Sequence, residues 1–148
     1  MSNYHNILVA IDFSEASNTV IDRAIEIAQR NKTPLTVLHV VEYMPPMDIA
    51  YEPVPSFAWI DEEALVARSK SSLDRFCKDR KLEQAKQVVV IGSPRFEICT
   101  YARNNHSDLL ILGSHGRHGI KLLLGSTANG VLHDMPCDVL AVKLQKAA

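Results

Sequence analysis

Five short apolar runs punctuate the chain: Asn6–Ile11 (NILVAI), Leu35–Val41 (LTVLHVV), Gln87–Ile91 (QVVVI), Asp108–Leu112 (DLLIL) and Asp138–Lys143 (DVLAVK). None alternates in and out like a sheet with one wet face. Near-continuous Val, Ile and Leu marks strands buried on both faces, as in a parallel sheet covered by helices. Between the runs the apolar spacing becomes helical. Ser14 is placed to cap a helix whose apolar positions Ala16, Val20, Ala24, Ile27 and Ala28 recur every three or four residues. Arg30, Asn31 and Lys32 suit the negative end of that helix, and Pro34 stops it. Asp61 starts a second helix, with Glu62 and Glu63 in its first turn and Leu65, Ser69, Leu73, Phe76 and Arg80 on one side. Ser93-Pro94 reads as a cap and a first-turn proline opening a third helix through Ile98, Tyr101 and Ala102. A short fourth helix begins near Ser126 and ends before Met135-Pro136. Phe76, Phe96 and Tyr101 fall at helix-core spacing, and His39 inside its apolar run reads as a satisfied core histidine.

The order βαβαβαβαβ predicts an α/β fold. The expectation is a single open parallel five-stranded sheet with helices on both faces, Rossmann-like or flavodoxin-like, of strand order 3-2-1-4-5, forming one domain over residues 1–148. The connection from Val41 to Asp61 is longer than the roughly 2–6 residues usual between sheet and helix. It carries Pro45, Pro46, Pro53 and Pro55 together with Tyr43, Tyr51, Phe57 and Trp59. It reads either as a surface excursion packing its own aromatics or as a lid or partner surface beside a binding site.

Composition narrows the function classes. The 148 residues carry 16 Lys and Arg against 17 Asp and Glu, a formal net charge of -1, so no overall field draws the chain to nucleic acid or an anionic membrane. Cys77, Cys99 and Cys137 lack the close spacing of a zinc or redox site and read as reduced thiols. The apolar run Ile7–Ile11 is too short for a signal peptide, and no segment approaches the ~18 apolar residues that cross a bilayer. The expected location is the cytoplasm, without membrane insertion.

An open parallel sheet binds ligands outside the carboxyl ends of its strands, where the strand order reverses. In the order 3-2-1-4-5 the walls of that crevice are the ends of the first strand, Asp12-Phe13-Ser14, and of the fourth, Gly113-Ser114-His115-Gly116. Gly113, Gly116 and Gly119 then lead to Gly125-Ser126-Thr127 at the start of the fourth helix. Glycines admit close backbone approach, a helix start offers free N–H groups to an anion, and Ser126 and Thr127 add hydroxyls. Arg117, His118 and Lys121 bring positive charge to the same loop, which makes a polyphosphate cradle. A glycine-rich turn serving only tight strand-to-helix geometry fits the same residues. Asp12 on its own fits a turn or helix-capping carboxylate as well as a ligand contact.

Other phosphate motifs are excluded. Gly125 is followed by Ser126 rather than Lys, so there is no Walker loop, and no glycine follows the first strand, as a dinucleotide fingerprint or a flavodoxin phosphate loop requires. Gly92-Ser93 ends the third strand where a phospho-accepting receiver needs aspartate. His115 and His118 have metal-compatible spacing but no further ligand nearby, and Ser114-His115 lacks an orienting acid, so neither a metal nor a catalytic residue is assigned.

These segments resemble the universal stress proteins of the UspA type over essentially the whole chain: NILVAIDFSEAS, LTVLHVV, VVVIGSPRFEI and, most specifically, DLLILGSHGRHGIKLLLGSTANGVLHDMPCDVLAVK. ATP-binding members are similar in carrying G-x2-G-x9-G-[ST] and an aspartate after the first strand. Gly113, Gly116, Gly125, Ser126 and Asp12 match those residue types, although Arg117 through Leu124 make a spacer of eight residues rather than nine.

The resemblance implies a site in which Asp12 sits by the ribose and adenine, and backbone groups of Val40 address the adenine edge. It further implies that Gly113 approaches the ribose and first phosphates, while Gly116, Gly125 and Ser126 line the phosphates; Arg117 and Thr127 join the phosphate set through the charge and hydroxyls of the same loop. The implied ligand is ATP, or ADP or AMP, with Mg. The implied role is a nucleotide-dependent regulator in the stress response, with a homodimer formed along Val139–Val142 and a protein partner such as a transporter or regulator. Occupancy of the site would then act through the 113–127 and 42–60 segments. Two rival expectations are a slow ATPase or autophosphorylating protein, with Ser114, Ser126 and Thr127 as acceptors, and an interaction module independent of nucleotide.

Overall fold

The computed structural model describes residues 3–42, 61–114 and 126–144. Gly116, Arg117, Gly125, the histidines 115 and 118, and nearly all of the 42–60 connection lie outside them. In chain order the elements are β1 (Ile7–Ile11), α1 (Ala16–Asn31), β2 (Leu35–Glu42), α2 (Glu62–Lys78), β3 (Lys86–Gly92), α3 (Pro94–Asn104), β4 (Leu109–Gly113), α4 (Ser126–Asp134) and β5 (Asp138–Val142). The five strands form the parallel sheet that the apolar runs predict, in the expected order β3-β2-β1-β4-β5.

The continuous apolar runs follow from two hydrophobic cores, one on each face. Ile7, Val9 and Ile11 of β1 and Leu109 and Ile111 of β4 point toward α1 and α2, packing against Val20, Ile21, Ala24, Leu73 and Cys77. The intervening Leu8, Leu110 and Leu112 point toward α3 and α4, against Ile98, Cys99, Ala102, Ala128 and Val131. Burying one such Leu or Ile side chain contributes roughly 1.5–3 kcal/mol before cavity effects, so each alternate position of β1 has its own reason to be apolar. The edges β3 and β5 are mostly half-buried, since the sheet continues on only one side of each.

Local chemistry sets the boundaries. Asp61 caps α2 by accepting from the Ala64 N–H at 3.1 Å. Lys32 ends α1 in the left-handed conformation, its N–H meeting the Ala28 and Gln29 carbonyls. Gly92 has φ +148°, and a Cβ built there would come within 2.8 Å of the Glu97 carboxylate, so the β3–α3 turn requires glycine.

Three expectations need correction. Ser14 does not cap α1: the cap position is Glu15, and the Ser14 hydroxyl is committed to Asp12. Ser93 does occupy the α3 cap ahead of Pro94, but its side chain makes no capping bond. Phe96 is 64% exposed rather than in the core, because α3 turns Ile98, Cys99 and Ala102 to the sheet and leaves Phe96 on the outer side.

Candidate functional site

β1 and β4 are neighbours in the sheet, yet the helices that follow them pack on opposite faces. The chain therefore parts at their carboxyl ends, and a cleft of about 460 Å³ opens there. That volume is within the range of small-molecule sites. Of the eight residues assigned to the site from the sequence, Asp12, Val40, Gly113, Ser126 and Thr127 line the cleft. Gly116, Arg117 and Gly125 are outside the described residues.

Asp12 organises the β1–α1 turn. Its Oδ1 accepts from the Ser14 N–H at 2.9 Å, the Ser14 hydroxyl at 2.5 Å and the Ser17 hydroxyl at 3.1 Å. The Asp12 N–H donates in return to the Ser17 hydroxyl at 3.3 Å, and Ser17 is buried. The carboxylate is thus a turn-forming group and a wall of the cleft at once.

Val40 lines the cleft from the end of β2. Its side chain packs in the core with Leu38 and Ile98, while β2 continues to Glu42 past its last pairing with β1 at His39. Gly113 ends β4, in register with Val142 of β5, and Ser126 and Thr127 form the first turn of α4. Among the described residues the charged side chains lining the cleft are Asp12, Glu42 and Arg68.

Besides Phe13, which the sequence puts on this wall, His39 and three α2 residues line the cleft without a sequence signal for a site. Phe13 adopts φ +61°, a conformation costly for a bulky side chain, by roughly 1–3 kcal/mol. Its ring is held against the His39 ring at 4.3 Å and edge-on to Phe76 at 6.1 Å. Phe76 in turn lies under the Arg80 guanidinium at 3.9 Å, and Arg80 donates to Asn18 of α1. His39, expected in the core, is half-buried on the cleft wall. Its Nδ1 lies 2.9 Å from the Ile11 carbonyl, and because a carbonyl only accepts, Nδ1 carries the proton. The α2 residues Arg68, Ser69 and Ser72 complete the wall opposite α4.

The arrangement combines an apolar floor, backbone at two strand ends, hydroxyls at a helix start and a carboxylate set by its turn. Such a set suits a small ligand carrying hydroxyls and anionic oxygens. Asp12 can accept from sugar hydroxyls, while Ser126, Thr127 and the α4 N-terminus can donate to phosphate, so the donor set fits a nucleotide.

Fold and cleft together define an open-sheet α/β protein with a ligand-sized crevice at the point where its strand order reverses. Residues 3–143 match the model of the universal stress protein family, and the chain belongs to that family. It is 37% identical over 147 residues to universal stress protein A homolog 2 of Coxiella burnetii, covering 98% of this chain and 99% of that one. The structure of universal stress protein UspA from Lactobacillus plantarum superposes with a TM-score of 0.77 at 29% identity, covering 96% of this chain and 99% of that one. A universal stress protein solved in complex with cAMP superposes with a TM-score of 0.68 at 26% identity, covering 96% of this chain and 98% of that one.

Proposed function

We propose that the cleft binds an adenine nucleotide, ATP or its ADP or AMP forms, and that occupancy makes this cytoplasmic protein a regulator in the stress response. The observation that carries the reading is the convergence of Asp12, Gly113, Ser126 and Thr127 on one cleft at the carboxyl ends of β1 and β4. The relative solved with cAMP supports a nucleotide as the class of ligand. Mg would accompany the phosphates, to which α4 supplies only neutral donors among the described residues. Gly116, Arg117 and Gly125 are assigned to the phosphates with Ser126 and Thr127, and Val40 to the base.

Calorimetric titration of ligand-stripped protein with Mg-ATP, using GTP for comparison, tests the reading. Saturable binding near one per chain with ATP preferred is the expected result. No binding of either nucleotide by folded protein rules the reading out. One observation favours the alternative of a nucleotide-independent interaction module: the Asp12 carboxylate already has a structural task in its turn.

A homodimer along Val139–Val142 belongs to the same proposal. β5 is an edge strand with Val139, Leu140 and Ala141 half-buried, and Met135 nearby in sequence is 55% exposed. A species of only 16.5 kDa by sedimentation at micromolar concentration would contradict it.

A further inference from the structure

The residue types of α2 change where the helix passes the cleft. Its sheet-facing side carries Leu73 and Cys77, both fully buried, and Phe76 packs against the same core. One to two turns earlier the corresponding positions are hydroxylic: Ser69 and Ser72 line the cleft, and Arg68 lines it beside them. Arg68 and Ser72 stand four residues apart and so share a face of the helix.

Arg30 and Lys78 have carboxylate partners one turn away, Glu26 at 2.6 Å and Asp74 at 2.9 Å. Arg68 has no carboxylate within its own helical neighbourhood, because positions 64, 65, 71 and 72 are Ala, Leu, Ser and Ser. No ion pair joins it to a carboxylate among the described residues, including the cleft's Asp12 and Glu42. The cleft is therefore polarised, with carboxylates on the wall of strand ends and a guanidinium with two hydroxyls on the helix wall. That donor-rich trio suits anionic oxygens, which a guanidinium binds with strong, directional hydrogen bonds.

We propose that Arg68, with Ser69 and Ser72, forms an anion subsite on the α2 wall that takes a phosphate of the bound nucleotide. The inference rests on the nucleotide reading of the cleft and adds a specificity residue from an element outside the glycine loop. It makes the protein discriminate among ligands by their phosphate rather than by the base alone.

The test compares wild type, Arg68→Ala and Arg68→Lys by calorimetry with ATP, AMP and adenosine, and with inorganic tripolyphosphate as a base-free probe. Arg68 is exposed, so the variants should keep the wild-type circular dichroism spectrum. Arg68→Ala should weaken ATP about tenfold or more while changing adenosine less than about twofold, with Arg68→Lys between. Equal losses for ATP and adenosine, or no loss for ATP, would overturn the subsite while leaving the nucleotide reading intact. If wild type binds neither ATP nor adenosine, that reading fails, and tripolyphosphate decides the subsite alone. Binding of tripolyphosphate lost in Arg68→Ala would uphold it, and no binding by wild type would overturn it.

Discussion

Two aspartates stand at opposite ends of the sheet and do different work. Asp108, just before β4, accepts from the backbone N–H groups of His5 at 2.7 Å and Asn6 at 3.0 Å, while its own N–H donates to the Asn6 carbonyl at 2.9 Å. Those bonds join segments about a hundred residues apart and close the amino ends of β1 and β4 together. Thr33 and Asn31 reinforce that end by bonding to His5 and Tyr4. Asp12, just after β1, accepts from Ser14 and Ser17 within its own turn, all within five residues. Long-range bonds draw one end shut. At the other end the helices diverge to opposite faces and the cleft opens. The same residue type ties distant strands at one end and shapes a turn beside the cavity at the other.

The largest expected effect separates the two ends by a single side chain. Gly113→Val should lower ATP affinity more than about 100-fold by filling the cleft, with the melting temperature nearly unchanged. Its backbone lacks the positive φ found at Gly92, and a β-branched residue is compatible with the end of a strand. Unfolding of this variant would mean that Gly113 serves the turn and not the ligand.

Asp108→Ala should do the reverse. Loss of the acceptor for two backbone N–H groups costs about 2 kcal/mol, or a melting temperature lower by roughly 4–8 °C, with ATP affinity unchanged. A matching fall in affinity would erase the distinction between the ends. Asp12→Ala should lower ATP affinity about tenfold and stability by about 1 kcal/mol, since it removes both the ligand acceptor and the turn acceptor. Equilibrium denaturation alongside calorimetry separates the two losses.

Chemical labelling probes both cores rather than either end. Burial, with a smaller push from Asp74, raises the Cys77 thiol to about 11, and burial with Asp138 raises Cys137 to about 11. Both should resist alkylation at pH 8 in the folded protein and react once it unfolds. Fast labelling of Cys77 in folded protein would show that the core under α2 is open.

The smallest effect concerns the clasp between α3 and α4. Hydrogen bonding to Arg95 holds the Asp134 carboxyl below its ordinary range, so its stabilisation is present above the unfolded pKa and is lost as pH falls through the folded one. Arg95→Ala should melt slightly below wild type at neutral pH, and the gap should narrow below about pH 4. A gap independent of pH would trace the loss to the Arg95 stem, which lies against Gly130, rather than to the ion pair.

The sheet was legible because strands buried on both faces must be apolar throughout, and the crevice because the common winding 3-2-1-4-5 puts Asp12 and Gly113 on facing walls. What escaped depends on tertiary neighbours. Nothing in the type of Phe13 announces a positive φ, which is held by the rings of His39 and Phe76 from two other elements. Ser14 looked like a cap because it precedes an apolar helix, but the Asp12 carboxylate two residues back competes for its hydroxyl. Phe96 had core spacing, yet the part of α3 that faces the sheet was set by Ile98 and Cys99. Arg68 carries no mark of a site in the sequence, because only the packing of α2 brings it to the cleft wall.

Hydrogen exchange on ligand-stripped protein, with and without Mg-ATP, tests the contrast between the two ends most directly. The account predicts slowed exchange in the β1–α1 turn around residues 12–17 and at the start of α4, with residues 4–8 and 105–110 unchanged. Unchanged exchange around Asp12 and Ser126 at saturating ATP, or protection confined to the Asp108 end, would contradict it.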